Sequence, residues 1–256
     1  MRVKPNIWIG IGIFLLYVVI IVGIGLALGT NYLTIAQDEG TLLRGVIIPV
    51  GVGAVVLAII VSLLGWWRPV IREERRWHPT WLLIVVLVLF GLFVIGNLVG
   101  TDWSKTNVTY VAVLLLGVLL VGFAEETVNR GILLTVFRSK LPEAGAAILS
   151  SAFFGLMHSA NLALGQPLAP TIQQVAITAL FGLGFYSVRL LTGSLIWAMA
   201  LHAVYDFSTF MVGTTGGTAL GGVVSYPLFL AIPVAAIVVW VRSRRGKETG
   251  QPEPVA

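Results

Sequence analysis

Hydrophobic residues in this chain neither alternate with polar ones nor keep to one face of a helix. They come in long, nearly unbroken runs: Ile7–Leu28, Gly45–Leu64, Trp81–Leu98, Tyr110–Phe137, Ala144–Ala160, Ile172–Leu191, Ser194–Val212 and Val223–Val241. A helix needs about 20 apolar residues to cross a bilayer, and a helix apolar on every side belongs in lipid rather than on a soluble surface. The pattern predicts an all-α polytopic membrane protein with about eight transmembrane helices. The fourth run is long enough to tilt or to extend beyond the lipid. The fifth is short, and the sixth and seventh are joined by a tight hairpin at Leu191, Thr192 and Gly193. The first run follows Arg2 and Lys4, as a signal peptide would. Its apolar core exceeds the usual ~7–15 residues and no Ala-x-Ala site follows, so it is read as an uncleaved helix. Trp66, Trp67, Trp81 and Trp103 sit at span ends, where interfacial aromatics are expected.

Composition agrees with the pattern: 57% of residues are hydrophobic and 11% charged, against about half and a quarter in soluble domains. The net charge of +5 would fit nucleic acid, but its distribution points elsewhere. If eight spans alternate, Arg2, Lys4, Arg68, Arg72, Arg75, Arg76, Arg138, Lys140, Arg189, Arg242, Arg244, Arg245 and Lys247 all fall on one side, and only Arg44 and Lys105 on the other. Positive charge collects on the cytoplasmic side. The expected placement is multi-pass in the cell membrane with both termini cytoplasmic, and no nucleic-acid partner is needed. The segment Val70–Thr80 reads as a short surface helix, and the polar tail from Gly246 as disordered. With no cysteine in the chain, disulfides, thiolate nucleophiles and Cys-based metal sites are excluded.

Ionisable groups inside a membrane are costly, so each is a functional candidate. In Glu125-Glu126-Thr127-Val128-Asn129-Arg130, i,i+4 spacing pairs Glu126 with Arg130 and Glu125 with Asn129. An ion pair between helices accounts for Glu126 and Arg130, but it leaves Glu125 without a basic partner on its own helix. Of two adjacent buried acids, one is expected to be tuned toward general-base work. Phe154-x-x-x-His158 places a histidine in the fifth span, where a lone imidazole is more often a satisfied core group. His202-x-x-x-Asp206 puts two ligating groups on one face, able to grip a metal, a water or a substrate, or to bond each other. Asn129, Ser150, Ser151, Ser159, Asn161, Tyr205 and Ser208 read mainly as helix-packing residues. Depth joins the sets: at ~1.5 Å per residue, Glu125 lies ~18 Å, His158 ~21 Å, His202 ~12 Å and Asp206 ~18 Å from the cytoplasmic ends of their spans. Three helices thus bring polar groups to a common level.

These three ordered motifs, Glu125-Glu126-x-x-x-Arg130, Phe154-x-x-x-His158 and His202-x-x-x-Asp206, resemble those of the CAAX prenyl endopeptidase and bacteriocin-processing (CPBP, or Abi) family of intramembrane proteases. The resemblance covers roughly Tyr110–Val212. It implies a helical core enclosing a polar intramembrane cavity and an endopeptidase acting on a peptide or lipidated-protein substrate. It further implies that Glu125 and His158 activate the attacking water. His202 and Asp206 would stabilise the oxyanion, with Glu126 and Arg130 ordering the site and Asn129 and Phe154 in support. The corresponding division of the chain is 1–108 as N-terminal transmembrane helices, 109–212 as the CPBP-like core, 213–245 as a C-terminal transmembrane helix and 246–256 as a cytoplasmic tail. The family has been described both as metalloproteases and as metal-independent glutamate proteases. Zinc, held by Glu125, His158, His202 and Asp206, is therefore a candidate cofactor. One departure bears on that choice: the eukaryotic enzymes it resembles carry Asn where this chain has Asp206. Asn donates to an oxyanion and ionised Asp cannot, so Asp206 must be protonated, orient His202 or bind a metal.

Rival intramembrane proteases fit poorly. Gly-x-Ser-Gly and His-Glu-x-x-His are absent, and Tyr205-Asp206 has no accompanying Gly-Asp. Two further readings stay open: a transporter or proton relay, although no internal repeat is present, and a catalytically silent immunity or scaffold protein of the same fold.

Overall fold

The computed structural model describes residues 1–73 and 81–248, with 239–240 and 242–248 by backbone alone. Among these residues the chain is all-α. Seven helices are long and apolar enough to cross a membrane: α1 (Ile7–Ala27), α2 (Glu39–Leu64), α4 (Trp81–Gly100), α5 (Val108–Arg138), α6 (Glu143–Leu164), α7 (Leu168–Thr192) and α8 (Leu195–Thr214). A short helix, α3 (Trp67–Ile71), follows α2. The chain ends in α9 (Gly222–Glu248), whose apolar stretch spans Gly222–Val238. This is a polytopic membrane protein. Large apolar side chains such as Leu15, Val19, Val55, Leu63, Val88 and Ile95 remain exposed on the outer faces, where lipid replaces water as their solvent.

Local chemistry sets the helix starts. Asn6, Asn107 and Ser194 cap α1, α5 and α8 by accepting from Trp8 N, Tyr110 N and Ile196 N. Asp38 and Thr41 form a reciprocal capping box. That box starts α2 at Glu39, earlier than the apolar run from Gly45 suggests, and takes Arg44 into the helix. The predicted α7–α8 hairpin turns at Gly193, whose φ of 72° suits a residue without Cβ. In lipid, helices associate through close packing. A Cβ on Gly122 of α5 would lie 2.6 Å from the Met199 carbonyl of α8, and one on Gly155 of α6 would lie 2.5 Å from the Val175 carbonyl of α7. These two glycines let the motif-bearing helices touch backbone to backbone.

Successive spans run in alternate directions, and their connections gather at two ends. At one end Arg2 N donates to Leu64 O and Glu73 N to Gly193 O, and Arg72 bridges Ser194. At the other Thr218 N donates to Gly100 O, Tyr110 Oη to Ala36 O and Gln174 Nε2 to Tyr32 Oη.

Two expectations change here. The helix expected over Val70–Thr80 ends at Ile71, and Arg72 is extended because it pairs with Ser194; residues 74–80 lie outside the described ones. Arg138 and Arg189, counted above among the basic loop charges, are instead drawn inward. Arg138 donates to Glu73 (2.9 Å) and Glu143 (3.0 Å), and Arg189 donates to Glu73 (2.9 Å). Tyr186 Oη bonds Glu143 at 2.6 Å. Arg189 also donates to the carbonyls of Val70, Pro69, Arg72 and Arg130. Among the described residues two guanidiniums face two carboxylates, the pairing under which burying charge is tolerated. Of the tail from Gly246, residues through Glu248 continue α9 and 249–256 lie outside the described residues.

Candidate active site

The first motif lies where α5 changes geometry. Regular α-helix runs to Glu126, π-helix occupies Thr127–Leu133, and α-helix resumes at Leu134–Arg138. Such wide turns inside α-helices often mark functional sites. Adjacent residues on a helix point about 100° apart, so the two acids face different surroundings. Glu126 is fully buried; its Oε1 accepts from Arg130 Nη1 at 3.0 Å and from His202 Nδ1 at 2.9 Å. Glu125 turns to the cavity, and its Oε2 has no hydrogen-bond partner among the described protein groups. Asn129, expected to pair with Glu125 through side chains, instead donates to the Glu125 backbone carbonyl at 2.8 Å. It thereby satisfies a carbonyl at the edge of the π-helical segment.

His158 is the first residue after the α-helical part of α6, where the chain tightens to 3-10 geometry. Its Nδ1 lies 2.9 Å from the Phe154 carbonyl. A carbonyl only accepts, so this nitrogen carries the proton and Nε2 of the neutral ring is left as an acceptor. The i,i+4 spacing of the second motif thus sets the tautomer of the imidazole.

His202 of α8 is held on three sides. Glu126 takes Nδ1, the Phe185 ring stacks on it at 4.7 Å and 17°, and Phe154 meets it edge-on at 5.6 Å. Its Nε2 faces Asp206 Oδ2 at 3.5 Å and Glu125 Oε2 at 3.9 Å. The bond that fixes this imidazole therefore comes from Glu126 on another helix, while Asp206 one turn away stays free to face the cavity. Phe154 also carries the Arg130 guanidinium 3.9 Å above its ring, a cation–π contact. Arg130 Nε donates to the Gly182 carbonyl at 3.3 Å, so one buried arginine ties α5, α6 and α7 together.

Glu125, His158, His202 and Asp206 line one cavity of about 500 Å³, the convergence that their depths predicted. Phe154 joins them in the lining, while Glu126, Arg130 and Asn129 stand behind it. Residues outside the three motifs complete the walls. Tyr17 of α1 borders a small side pocket shared with Glu125 and His158; Tyr32, Gln173 and Gln174 stand farther along the main cavity. Burial raises the Tyr32 phenol above its ordinary range, keeping it protonated. Gln173 and Gln174 were visible in the sequence as paired amides inside an apolar run, whereas nothing in the sequence distinguished Tyr17 or Phe185. The zinc set is a different matter. Among the described residues no group of three or more His, Cys, Asp or Glu is arranged to hold a metal ion, although an Nδ1 bonded to a carbonyl or carboxylate, as in both histidines, leaves Nε2 available as a ligand.

Helices that bring two carboxylates and two oriented imidazoles to a cavity inside a bilayer define a polytopic membrane protein with a buried polar centre. Residues 107–208 match the family model described as Type II CAAX prenyl endopeptidase Rce1-like. All three motifs lie within the matched segment, which covers about two fifths of the chain. No curated protein and no solved structure gives a significant match.

Proposed function

We propose that this protein is an intramembrane endopeptidase of the glutamate type, placed multi-pass in the cell membrane with both termini cytoplasmic. The observation that carries the reading is the asymmetry of the paired acids: Glu126 is consumed by Arg130 and His202, while Glu125 presents an unpartnered oxygen beside His158, His202 and Asp206. The family match supports a protease in general.

A water between Glu125 and His158 would give its proton to Glu125 as its oxygen attacks the scissile carbonyl carbon. The Nε2 lone pair of His158 would accept the water's second hydrogen and aim the attack. The carbonyl oxygen becomes an oxyanion facing His202 and Asp206. A proton on either of these gives it a donor fixed before the reaction starts. Collapse returns the proton from Glu125 to the leaving nitrogen and breaks the C–N bond. Glu126, Arg130, Phe154 and Phe185 act through His202 by holding its ring. Prenylated proteins and bacteriocin or other peptides are the substrate classes that the family suggests.

The test is incubation of purified protein with prenylated and unprenylated fluorogenic peptides, with products read by mass spectrometry. A single cleavage by the parent, lost in Glu125→Gln, is the expected result. Equal cleavage by Glu125→Gln removes the general-base role. No cleavage of any peptide by the parent shifts the reading to a silent protein of the same fold.

A further inference from the structure

The cavity is not centred in the molecule. Each helix lining it does so with the same end: Ile21 of α1, residues 42–50 of α2, 114–125 of α5, 154–164 of α6, 170–185 of α7 and 202–210 of α8. All these segments lie between the polar centre and the end bearing Arg44 and Lys105. At its far end the cavity meets an uncharged mouth. There Asn161 Nδ2 donates to Gln174 Oε1 at 3.0 Å and Gln174 Nε2 donates to Tyr32 Oη at 2.7 Å, and Gln173 is exposed. Toward the opposite end, below Glu126 and Arg130, the described helices close on the Glu73, Arg138, Glu143 and Arg189 network, whose carboxylates are 1% exposed. Exposed Lys140 lies beyond it.

We propose that substrate reaches the centre from the end opposite the basic loops, which is the extracytoplasmic face, and that the substrate is a peptide segment lying outside the cytoplasm. The direction follows from geometry and charge sorting together. The cavity opens toward the end poor in Lys and Arg, the positive-inside rule assigns that end to the outside, and the buried ion network blocks the other. The mouth chemistry fits the same substrate. Two amide side chains, a third amide and a phenol offer neutral donors and acceptors, which match the backbone of an extended peptide without selecting its charge. The inference rests on the endopeptidase reading for the word substrate, but the direction of access does not depend on turnover.

The natural chain has no cysteine, so single cysteines report accessibility without a background. Gln173→Cys at the mouth, Thr178→Cys deeper in the cavity, Lys105→Cys and Lys140→Cys are placed in otherwise native protein. Sealed right-side-out and inverted membrane vesicles are then treated with a membrane-impermeant maleimide. Gln173→Cys, Thr178→Cys and Lys105→Cys should label in right-side-out vesicles and lose labelling in inverted ones, with Lys140→Cys showing the reverse. Asn161→Cys replaces Gln173→Cys if the latter fails to accumulate. Labelling of the cavity positions only in inverted vesicles overturns the proposal. So does protection of Thr178→Cys and the mouth position on both sides while Lys105→Cys labels. Because labelling needs no catalysis, outside-facing labels in a protein that cleaves nothing defeat the endopeptidase reading alone. Peptide cleavage with inside-facing labels defeats the direction alone.

Discussion

Two buried charged clusters lie within this helical bundle, built from the same kinds of side chain. At the sealed end Arg138 and Arg189 face Glu73 and Glu143, and Tyr186 adds a hydrogen bond. In the centre Glu125, Glu126 and Asp206 face Arg130, His158 and His202. Among the described residues the first sets two carboxylates against two permanently charged guanidiniums, and its bonds reach backbone carbonyls as well. The second sets three carboxylates against one guanidinium and two rings whose charge depends on a proton. It leaves oxygens of Glu125 and Glu126 without a hydrogen-bond partner. Burial alone therefore does not mark a reactive group in this protein. What separates the clusters is whether the acid is matched by a fixed cation.

The comparison is most exposed to replacement of Glu125. Glu125→Gln keeps size and should cut turnover by about 10²–10⁴-fold while leaving the melting temperature in detergent near that of the parent. A large loss of stability with it would make Glu125 another structural acid. Removing a matched partner should do the opposite. Arg189→Met removes one of the cations that face Glu73 and the donor to four carbonyls, and Glu126→Gln strands Arg130; each should cost about 3–5 kcal/mol, measured by thermal denaturation in detergent. A Glu126→Gln protein of parental stability would show that the pair is not holding α5. Smaller is the effect expected at Asp206. Asp206→Asn supplies a donor where the carboxylate stood, and activity should stay within about tenfold of the parent, with chelator changing it little. Collapse of activity in Asp206→Asn, together with stoichiometric zinc in the parent, would restore the metal reading. Least is expected from Phe185→Leu, which removes the ring stacked on His202. A loss of about 0.5–1.5 kcal/mol in transition-state stabilisation should appear in kcat more than in KM.

Spans and motifs were legible because lipid imposes a crude rule, and a charge within an apolar run of twenty residues stands out without any tertiary information. The meeting of Glu125, His158, His202 and Asp206 was legible for the same reason, since depth follows from counting along straight helices. Counting failed where helices are not regular or partners come from elsewhere. Spacing gave Glu125 to Asn129 through side chains, but the wide turns after Glu126 bring the Asn129 amide to a backbone carbonyl. Spacing offered Asp206 as the group that holds His202, whereas Glu126 sits closer, from α5. Arg138 and Arg189 looked like loop charges because their acids, Glu73 and Glu143, lie on other segments.

The π-helical stretch Thr127–Leu133 has a consequence for how α5 can vary. A wide turn behaves as one residue inserted into an otherwise regular helix, and removing a residue returns the segment to α geometry. Because the wide turn absorbs the extra residue locally, such a change would leave the flanking α-helical parts nearly in phase, whereas one residue removed from a regular part of α5 would turn everything beyond it by about 100°. Glu125 and Glu126 lie before the stretch, Arg130 within it and Arg138 after it. The wide stretch thus lets an extra residue sit between the acid that faces the cavity and the arginine that closes the opposite end without disturbing their relative phase. Deleting an apolar residue of the regular helix beyond it, such as Leu134, would remove no polar side chain yet turn Arg138 away from Glu73 and Glu143, a lesion of register rather than of chemistry.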